Sequence, residues 1–287
     1  MNEYVIMTDS AADLTLAQCE ALSVVRADLT VTIGDASPRA EREVEVTEFY
    51  AALREKKTTR TAAMNLDDFV KAAEPILESG KDILYLGFSS GLSSTYQSGR
   101  LAAEELSARY PDRKIYTVDS LCASLGGGLF VDLVAQKRDA GASLSEVRDY
   151  AEALKLNICH EFTVDDLFFL KRGGRVSATT AIVGTALGIK PVMHVDNEGH
   201  LVKVGVARGR RASIKALFDK MKNNIIKEQS KKTYICHGDC LADAEMLRDM
   251  ILSEGLSEEV VIGYTGAVIG SHSGPGTLAL FYVGRER

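Results

Sequence analysis

The stretch DILYLGFSSGLSSTYQSG (82–99) decides the fold class of this chain. It begins with a compact apolar run typical of a buried strand, continues through a serine-rich loop, and passes into a helical pattern near residue 94. The same succession recurs at YVIM (4–7) and KIYTV (114–118). Strands that alternate with helices form βαβ units, so this part of the chain predicts a mostly parallel sheet with helices on both faces.

The rest of the first half fits the same scheme. LTVTI (29–33) predicts a further strand beside the three already named. The spacing of apolar residues predicts helices over 15–23, 47–55, 66–79, 94–109 and 121–140.

The sequence pattern changes near residue 155. Segment 165–186 predicts two short helices around a glycine turn, and Asp196-Asn197-Glu198-Gly199 predicts a hairpin turn between IKPVMHV and HLVKVGV. A helix (210–228), a strand (232–237), a helix (241–253), and the strands EVVIGY and TLALFYV follow. We therefore expect a two-domain α/β protein. Residues 1–157 would form the mostly parallel domain, and residues 158–287 a second α/β domain with a mixed sheet.

Composition excludes several classes of protein. The 287 residues are 46% hydrophobic and 26% charged, which is typical of a globular protein. The net charge of −6 argues against nucleic-acid binding. The basic cluster Arg208–Arg211 is either solvated surface with some interdomain pairing, or a contact for a partner or for anionic lipid headgroups. No apolar run is long enough to span a bilayer, and MNEYVIMTDSAADL does not resemble a secretory signal. We expect a soluble cytoplasmic protein.

The cysteines predict neither a disulfide framework nor a metal centre. There are five, an odd number, and they are widely scattered. Cys236, His237 and Cys240 are conceivable metal ligands, but no second ligand pair lies at zinc-like spacing. We expect buried thiols and no metal or cofactor.

Hydroxyl side chains gather where the predicted parallel strands end. Ser89, Ser90, Ser93, Ser94 and Thr95 crowd one strand-to-helix loop. Ligands of open parallel sheets bind at the carboxyl ends of the strands, where free N–H groups at helix N-termini favour anions. Helix capping explains some of these hydroxyls, but their number in one loop favours a binding role.

The same loop also allows an enzymatic interpretation. Gly87-Phe88-Ser89-Ser90-Gly91 matches the G-x-S-x-G nucleophile elbow of α/β-hydrolases. Asp119 or Asp239, followed by His272, would complete a triad in the order Ser, Asp, His. A serine hydrolase or acyltransferase using Ser89 and His272 is therefore the alternative function.

Two further glycine-rich segments are candidates for binding. Gly266–Thr277 holds four glycines around His272, which is either a solvated loop histidine or a base, hydrogen-bond donor or metal ligand. Lys171-Arg172-Gly173-Gly174-Arg175 and Gly126–Gly128 do not match a phosphate loop, and no dinucleotide fingerprint occurs. Binding of ATP or NAD by a standard route is not expected.

Together these motifs resemble the DegV family, the fatty-acid-binding subunits of bacterial fatty acid kinase. The resemblance rests on TDSAADL (8–14), SSGLSSTYQSG (89–99), VDSLCASLG (118–126), FTVDDLFFLKRGGRVS (162–177), GIKPVMHVDNEGHL (188–201) and GSHSGPGTLALFYVG (270–284). These segments span nearly the whole chain.

The resemblance implies a long-chain fatty acid in a tunnel between two α/β domains. It implies that Thr61, on the loop before the third helix, Ser93 and His272 hold the carboxylate, with Ser94 as an extra contact. Arg172 and Arg175 would either contact the pocket, the partner or the membrane surface, or bridge the two short helices. A separate ATP-dependent kinase subunit would phosphorylate the carboxylate for phospholipid synthesis, and the chain itself would not be an enzyme. A lipid sensor or storage protein without a kinase partner remains a further alternative.

Overall fold

The computed structural model describes residues 3–177 and 188–287. In chain order, the first half contains β1 (Tyr4–Asp9), α1 (Leu16–Ala21), β2 (Val24–Ala27), β3 (Thr30–Ile33), β4 (Arg39–Ala40), α2 (Val46–Arg54), β5 (Thr59–Ala62), α3 (Leu66–Glu78), β6 (Asp82–Gly87), α4 (Thr95–Arg109), β7 (Ile115–Asp119), α5 (Leu125–Asp139) and α6 (Leu144–Leu154).

The second half continues with β8 (Ile158–Thr163), α7 (Phe168–Arg172), β9 (Ile189–Val195), β10 (Leu201–Arg208), α8 (Arg210–Asn224), β11 (Lys232–His237), α9 (Leu241–Ser253), β12 (Glu259–Tyr264), α10 (Ala267–Ser273) and β13 (Leu278–Val283). Within the part of the chain that the structure describes, no helix combines the length and the apolar character needed to cross a membrane.

Several helices begin where the sequence provides a capping box. Thr15, Asn65 and Ser143 each accept a hydrogen bond from the backbone N–H three residues ahead, and the side chain at that position bonds back to the cap. These reciprocal bonds satisfy N–H groups that a helix leaves free at its start. Local chemistry therefore sets the starts of α1, α3 and α6.

The first half is organised around a four-stranded parallel sheet of order β2-β1-β6-β7. Successive residues of β6 point to opposite faces. Ile83 and Tyr85 pack in the core that includes side chains of α3 and α4, whereas Leu84 and Leu86 pack with α5 and α6. Both faces of the sheet are thus covered by helices, which confirms the doubly covered parallel sheet predicted from this stretch.

One strand prediction was wrong in its placement. LTVTI does form a strand, but β3 pairs antiparallel with β4 and β5 in a separate three-stranded sheet. Its place in the parallel sheet is taken by β2, which the sequence analysis assigned to no element. Four-residue strands carry too little periodicity to show which sheet they join, because that choice depends on non-local hydrogen bonds.

The second half contains the predicted mixed sheet, of order β10-β9-β8-β13-β11-β12. Only β11 and β12 run parallel, and β9 and β10 form the hairpin expected around Asp196–Gly199. Helix α7 corresponds to the first of the two short helices expected in 165–186, while residues 178–186 of that prediction lie outside the described ranges. All strands of this sheet lie beyond residue 157, so we retain 157/158 as a proposed domain boundary.

Helix α5 packs between the two main sheets. A Cβ atom on Gly126 would lie 2.2 Å from His160 Nε2 on β8, so only glycine permits this close approach of helix and strand. The ring of His160 is held in place by bonds from Ala123 N–H to Nε2 (3.2 Å) and from Nδ1 to the Ile158 carbonyl (2.9 Å). Gly126 therefore serves the packing of α5 against β8.

Candidate carboxylate and acyl-chain site

A cavity of about 170 Å³ lies between the mixed sheet, α10 and the loops that follow the parallel strands. Most of its wall is aliphatic or aromatic, with side chains from both halves of the chain such as Leu29, Phe88, Leu92, Phe162, Ile269 and Phe281. Thr61, Ser93, Ser94, Arg175 and His272 line the same space. The cavity therefore combines a largely apolar wall with a group of polar side chains.

Thr61 and His272 meet in this cavity although they lie 211 residues apart. Thr61 Oγ1 lies 2.8 Å from His272 Nε2. The family resemblance implied that Thr61 is on a loop. The structure places it instead in strand β5, where it pairs with Val31. A strand fixes the direction of the hydroxyl more firmly than a loop does, so the Thr61–His272 pair is preorganised.

Local hydrogen bonds hold Ser93 just before the start of helix α4. Its Oγ accepts from the Thr95 backbone N–H (3.2 Å) and lies 2.9 Å from Thr95 Oγ1. Ser94 lines the cavity as well but is exposed, and it makes no side-chain capping bond to α4. Ser93 is thus the more firmly positioned of the two serines.

His272 is held in its neutral form by its surroundings. Burial, together with the nearby Arg175 and Arg172 charges, lowers the pKa of the imidazole to about 4. Its Nδ1 atom is buried and has no hydrogen-bond partner among the described residues. At neutral pH the ring therefore combines one nitrogen bonded to Thr61 with a second nitrogen that is unpartnered.

The two arginines of the predicted motif both lie near this histidine but make different contacts. Arg175 lines the cavity, and its Nη2 and Nε donate to the Leu92 carbonyl at 3.0 and 3.2 Å. Arg172 donates to the Ser271 carbonyl (3.3 Å) and lies 5.0 Å above the Phe169 ring. Both connect the segment after β8 to the polar end of the cavity.

Gly173 provides the space that His272 occupies. A Cβ atom at this position would lie 2.2 Å from His272 Nδ1. Replacing Gly173 by alanine is therefore expected to push the ring away from Thr61 and to raise the histidine pKa as its burial decreases. NMR titration of the His272 resonance measures both effects. Gly205→Ala is the matched control, since the nearest atom to its Cβ is 3.8 Å away. An unshifted His272 resonance in Gly173→Ala would contradict this packing.

The pH dependence of stability should carry a signature of His272. Its pKa is about 4 in the folded protein, compared with an ordinary 6.5, so between these values the unfolded chain binds the proton and the folded chain does not. Stability therefore falls as the pH drops from 6.5 towards 4. Unfolding free energies of the wild type and His272→Gln, measured across this range, should converge as the pH falls. Parallel curves would contradict the neutral imidazole.

Ser89 does not form the predicted nucleophile–base pair. Its side chain is fully buried, donates to the Gly199 carbonyl (2.9 Å) and accepts from the Gly91 N–H (3.2 Å). Asp119 accepts from the backbone N–H groups of Ser90 and Leu121, while the other proposed acid, Asp239, pairs with Arg54. The G-x-S-x-G loop is instead docked on the β9–β10 turn, so the triad expected under the hydrolase alternative is not assembled.

A labelling experiment checks this assignment. We expect no reaction of Ser89 with a serine-reactive fluorophosphonate, because the hydroxyl is buried and bonded. Ser89→Ala is expected to lower the unfolding free energy by about 1–3 kcal/mol, since it leaves the buried Gly199 carbonyl without its donor. Mass spectrometry and chemical denaturation provide the two readouts. Labelling at Ser89 would restore the hydrolase alternative.

The structure also places the residues that the sequence analysis considered for metal binding and for partner contact. Cys236 is buried and lines the cavity, whereas His237 Nδ1 accepts from the Cys240 N–H (3.3 Å). In the basic cluster, Arg210 pairs with Asp243 at 2.8 Å.

His160, which the sequence analysis did not single out, is a cavity-lining residue. Only its place on an ordinary strand was visible in the sequence, and that gives no signal of a ligand.

Comparison with known proteins agrees with the fold. A family model described as "Uncharacterised protein, DegV family" matches residues 3–285. A DegV domain-containing protein of Clostridium perfringens is 41% identical over 99% of this chain and 98% of its own length. A fatty-acid-binding DegV family protein of Thermus thermophilus is 31% identical, with a TM-score of 0.88 over 99% of this chain and 100% of that one.

A DegV lipid-binding protein of Thermotoga maritima gives a TM-score of 0.86 at 28% identity, covering 99% of both chains. A two-domain α/β architecture with one parallel and one mixed sheet is therefore shared with solved lipid-binding structures. This chain belongs to the DegV family.

Proposed function

We propose that this chain binds a long-chain fatty acid, with the acyl tail in the cavity and the carboxylate at Thr61, Ser93 and His272. The observation that carries the proposal is the Thr61–His272 pair, at 2.8 Å, in a largely apolar cavity that Ser93 also lines. The solved relatives from Thermus thermophilus and Thermotoga maritima, described as fatty-acid-binding and lipid-binding, support the same ligand class.

The physical chemistry of the cavity fits an amphiphilic acid. Each methylene removed from water contributes about 0.8 kcal/mol, so a long tail supplies most of the affinity. A carboxylate leaving water needs hydrogen bonds to offset its desolvation. The Ser93 hydroxyl can donate, and the Thr61–His272 pair uses one of its two protons for its own hydrogen bond and offers the other. The positive charge of Arg175 adds a favourable field.

We further propose that the carboxylate is presented to a partner, an ATP-dependent fatty acid kinase that forms an acyl phosphate for phospholipid synthesis in the cytoplasm. Neutral donors hold the carboxylate without the bidentate clamp that an arginine pair would impose, which leaves an oxygen free to act as a nucleophile. Arg172, Arg175 and the exposed Ser94 lie beside this end and are candidates for contact with the kinase, or transiently with a membrane surface.

Native mass spectrometry of the protein purified without added lipid tests the binding step. We expect a co-purified fatty acid at a one-to-one ratio, which is released on denaturation. The kinase step is tested separately: incubation with a cognate kinase and ATP should convert the bound acid to acyl phosphate. Failure to take up any long-chain acid would refute the binding proposal, whereas uptake without conversion would refute only the kinase step and favour a storage or sensor role.

A further inference from the structure

The cavity has a second group of polar side chains, away from the proposed carboxylate site. Helix α10 forms part of the wall, and Thr265, Val268, Ile269 and His272 line the cavity at the spacing of one helix face. A helix of seven residues is about 10 Å long. Thr265 precedes this helix and His272 lies in its last turn, so these two polar residues are separated by about the length of the helix.

Around Thr265, two more polar side chains face the same space. Ser124, Cys236 and Thr265 all line the cavity, and they are 5%, 1% and 0% exposed. Thr265 Oγ1 donates to Cys236 Sγ at 3.1 Å, and Ser124 Oγ lies 3.2 Å from the same sulfur. Ser124 Oγ also donates to the Asp13 carboxylate. We call Ser124, Cys236 and Thr265 the distal polar patch.

The hydrogen bonds of this patch leave acceptor capacity unused. A thiol sulfur is a weak acceptor, and the single hydroxyl proton of Ser124 serves only one of its two neighbours. Among the hydrogen bonds of the described residues, none brings a donor to Thr265 Oγ1. Each of the three side chains has one hydrogen-bond partner, but beside a purely hydrocarbon tail the remaining lone pairs of Thr265 Oγ1 would accept no hydrogen bond. A ligand group that donates a hydrogen bond would complete the patch.

We propose that the distal polar patch is a subsite for a hydroxyl group in the middle of the acyl chain, so that the cavity accepts hydroxylated fatty acids. The inference rests on the proposed fatty-acid binding and adds a substrate class to it. The separation of about 10 Å along α10 places the hydroxyl well away from the carboxylate rather than next to it. A hydroxyl fits because it can donate to the free lone pairs and accept weakly from the Cys236 S–H group.

The test compares the dissociation constants of stearate and 10-hydroxystearate. In the wild type we expect the hydroxylated acid to bind at least as tightly, although its hydroxyl must leave water. Thr265→Val removes one hydroxyl at nearly constant volume and is expected to raise the ratio of the hydroxystearate to the stearate constant about tenfold. Ser124→Ala is expected to act in the same direction. Stearate should bind all of these proteins.

Two controls separate this subsite from a general change in the cavity. Thr277→Val removes a cavity-lining hydroxyl that lies outside the distal polar patch and donates to the Gly274 carbonyl at 2.8 Å. The ratio should stay unchanged if the patch, and not any hydroxyl of the wall, recognises the ligand. In 2-hydroxystearate the hydroxyl lies beside the carboxylate. The ratio of the 2-hydroxystearate to the stearate dissociation constant should therefore not change in Thr265→Val. The subsite is refuted if the wild type binds 10-hydroxystearate at least tenfold more weakly than stearate. It is also refuted if Thr265→Val leaves the ratio of the two dissociation constants unchanged. In both cases fatty-acid binding stands. Binding of neither acid refutes both.

Discussion

Replacing His272 by alanine is expected to weaken long-chain fatty acid binding about 10- to 100-fold. A hydrogen bond to a charged group contributes about 1.5–3 kcal/mol, and a tenfold change in affinity corresponds to about 1.4 kcal/mol. The variant loses the imidazole and also leaves the Thr61 hydroxyl without its partner at 2.8 Å. Isothermal titration with oleate or stearate measures the effect.

The design of this experiment includes one control and one companion variant. His200→Ala removes an exposed histidine of the β9–β10 turn and should leave the affinity unchanged. Thr61→Val keeps a β-branched residue in strand β5 and should weaken binding in the same direction as His272→Ala. Because the two side chains act as one pair, the double variant should lose less than the sum of the single losses. Wild-type affinity in His272→Ala would show that the carboxylate is held elsewhere.

Filling the cavity should have the largest effect. Ala279 lines the cavity on β13, opposite Cys236 on the neighbouring strand β11. Ala279→Phe places a ring in a cavity of about 170 Å³, so we expect acyl-chain affinity to fall by more than about 100-fold because the tail and the ring compete for one volume. The melting temperature should no longer rise when oleate is added, whereas it should rise for the wild type.

A matched control places the same side chain on the surface. Ala212→Phe lies at an exposed position of α8 and should retain both the affinity and the oleate-dependent rise in melting temperature. Ala279→Leu adds less volume and provides a second test should the phenylalanine prevent folding. Equal amounts of co-purified acid in the wild type and in a folded Ala279→Phe or Ala279→Leu protein would place the tail outside this cavity.

The hydrolase interpretation shows how a short motif can mislead. G-x-S-x-G specifies three residues within a stretch of five but not what surrounds them, and here the buried Ser89 holds its loop against Gly199. Gly91 lies equally close to this turn, since a Cβ atom on it would be 2.8 Å from the Glu198 carbonyl oxygen. The motif residues therefore position the loop that carries Ser93. Only the approach of the distant hairpin distinguishes this role from that of a nucleophile.

The amino-acid sequence alone determined the local elements and the family. Strands such as β6 and β11, helices such as α3 and α9, and the β9–β10 turn follow from periodicity, caps and turn residues, which act within a few residues of one another. The motifs also singled out Thr61, Ser93 and His272 through the family resemblance. These signals are local or depend on a pattern of residues, so they can be recognised without the tertiary structure.

Only the tertiary structure decided which elements and side chains meet. It moved β3 into a separate sheet, paired Thr61 with a histidine 211 residues away, and gathered Ser124, Cys236 and Thr265 from three segments into one patch. Each of these depends on hydrogen bonds and packing between residues far apart along the chain. Periodicity reports which face of an element is buried, but it does not identify the surface that covers it.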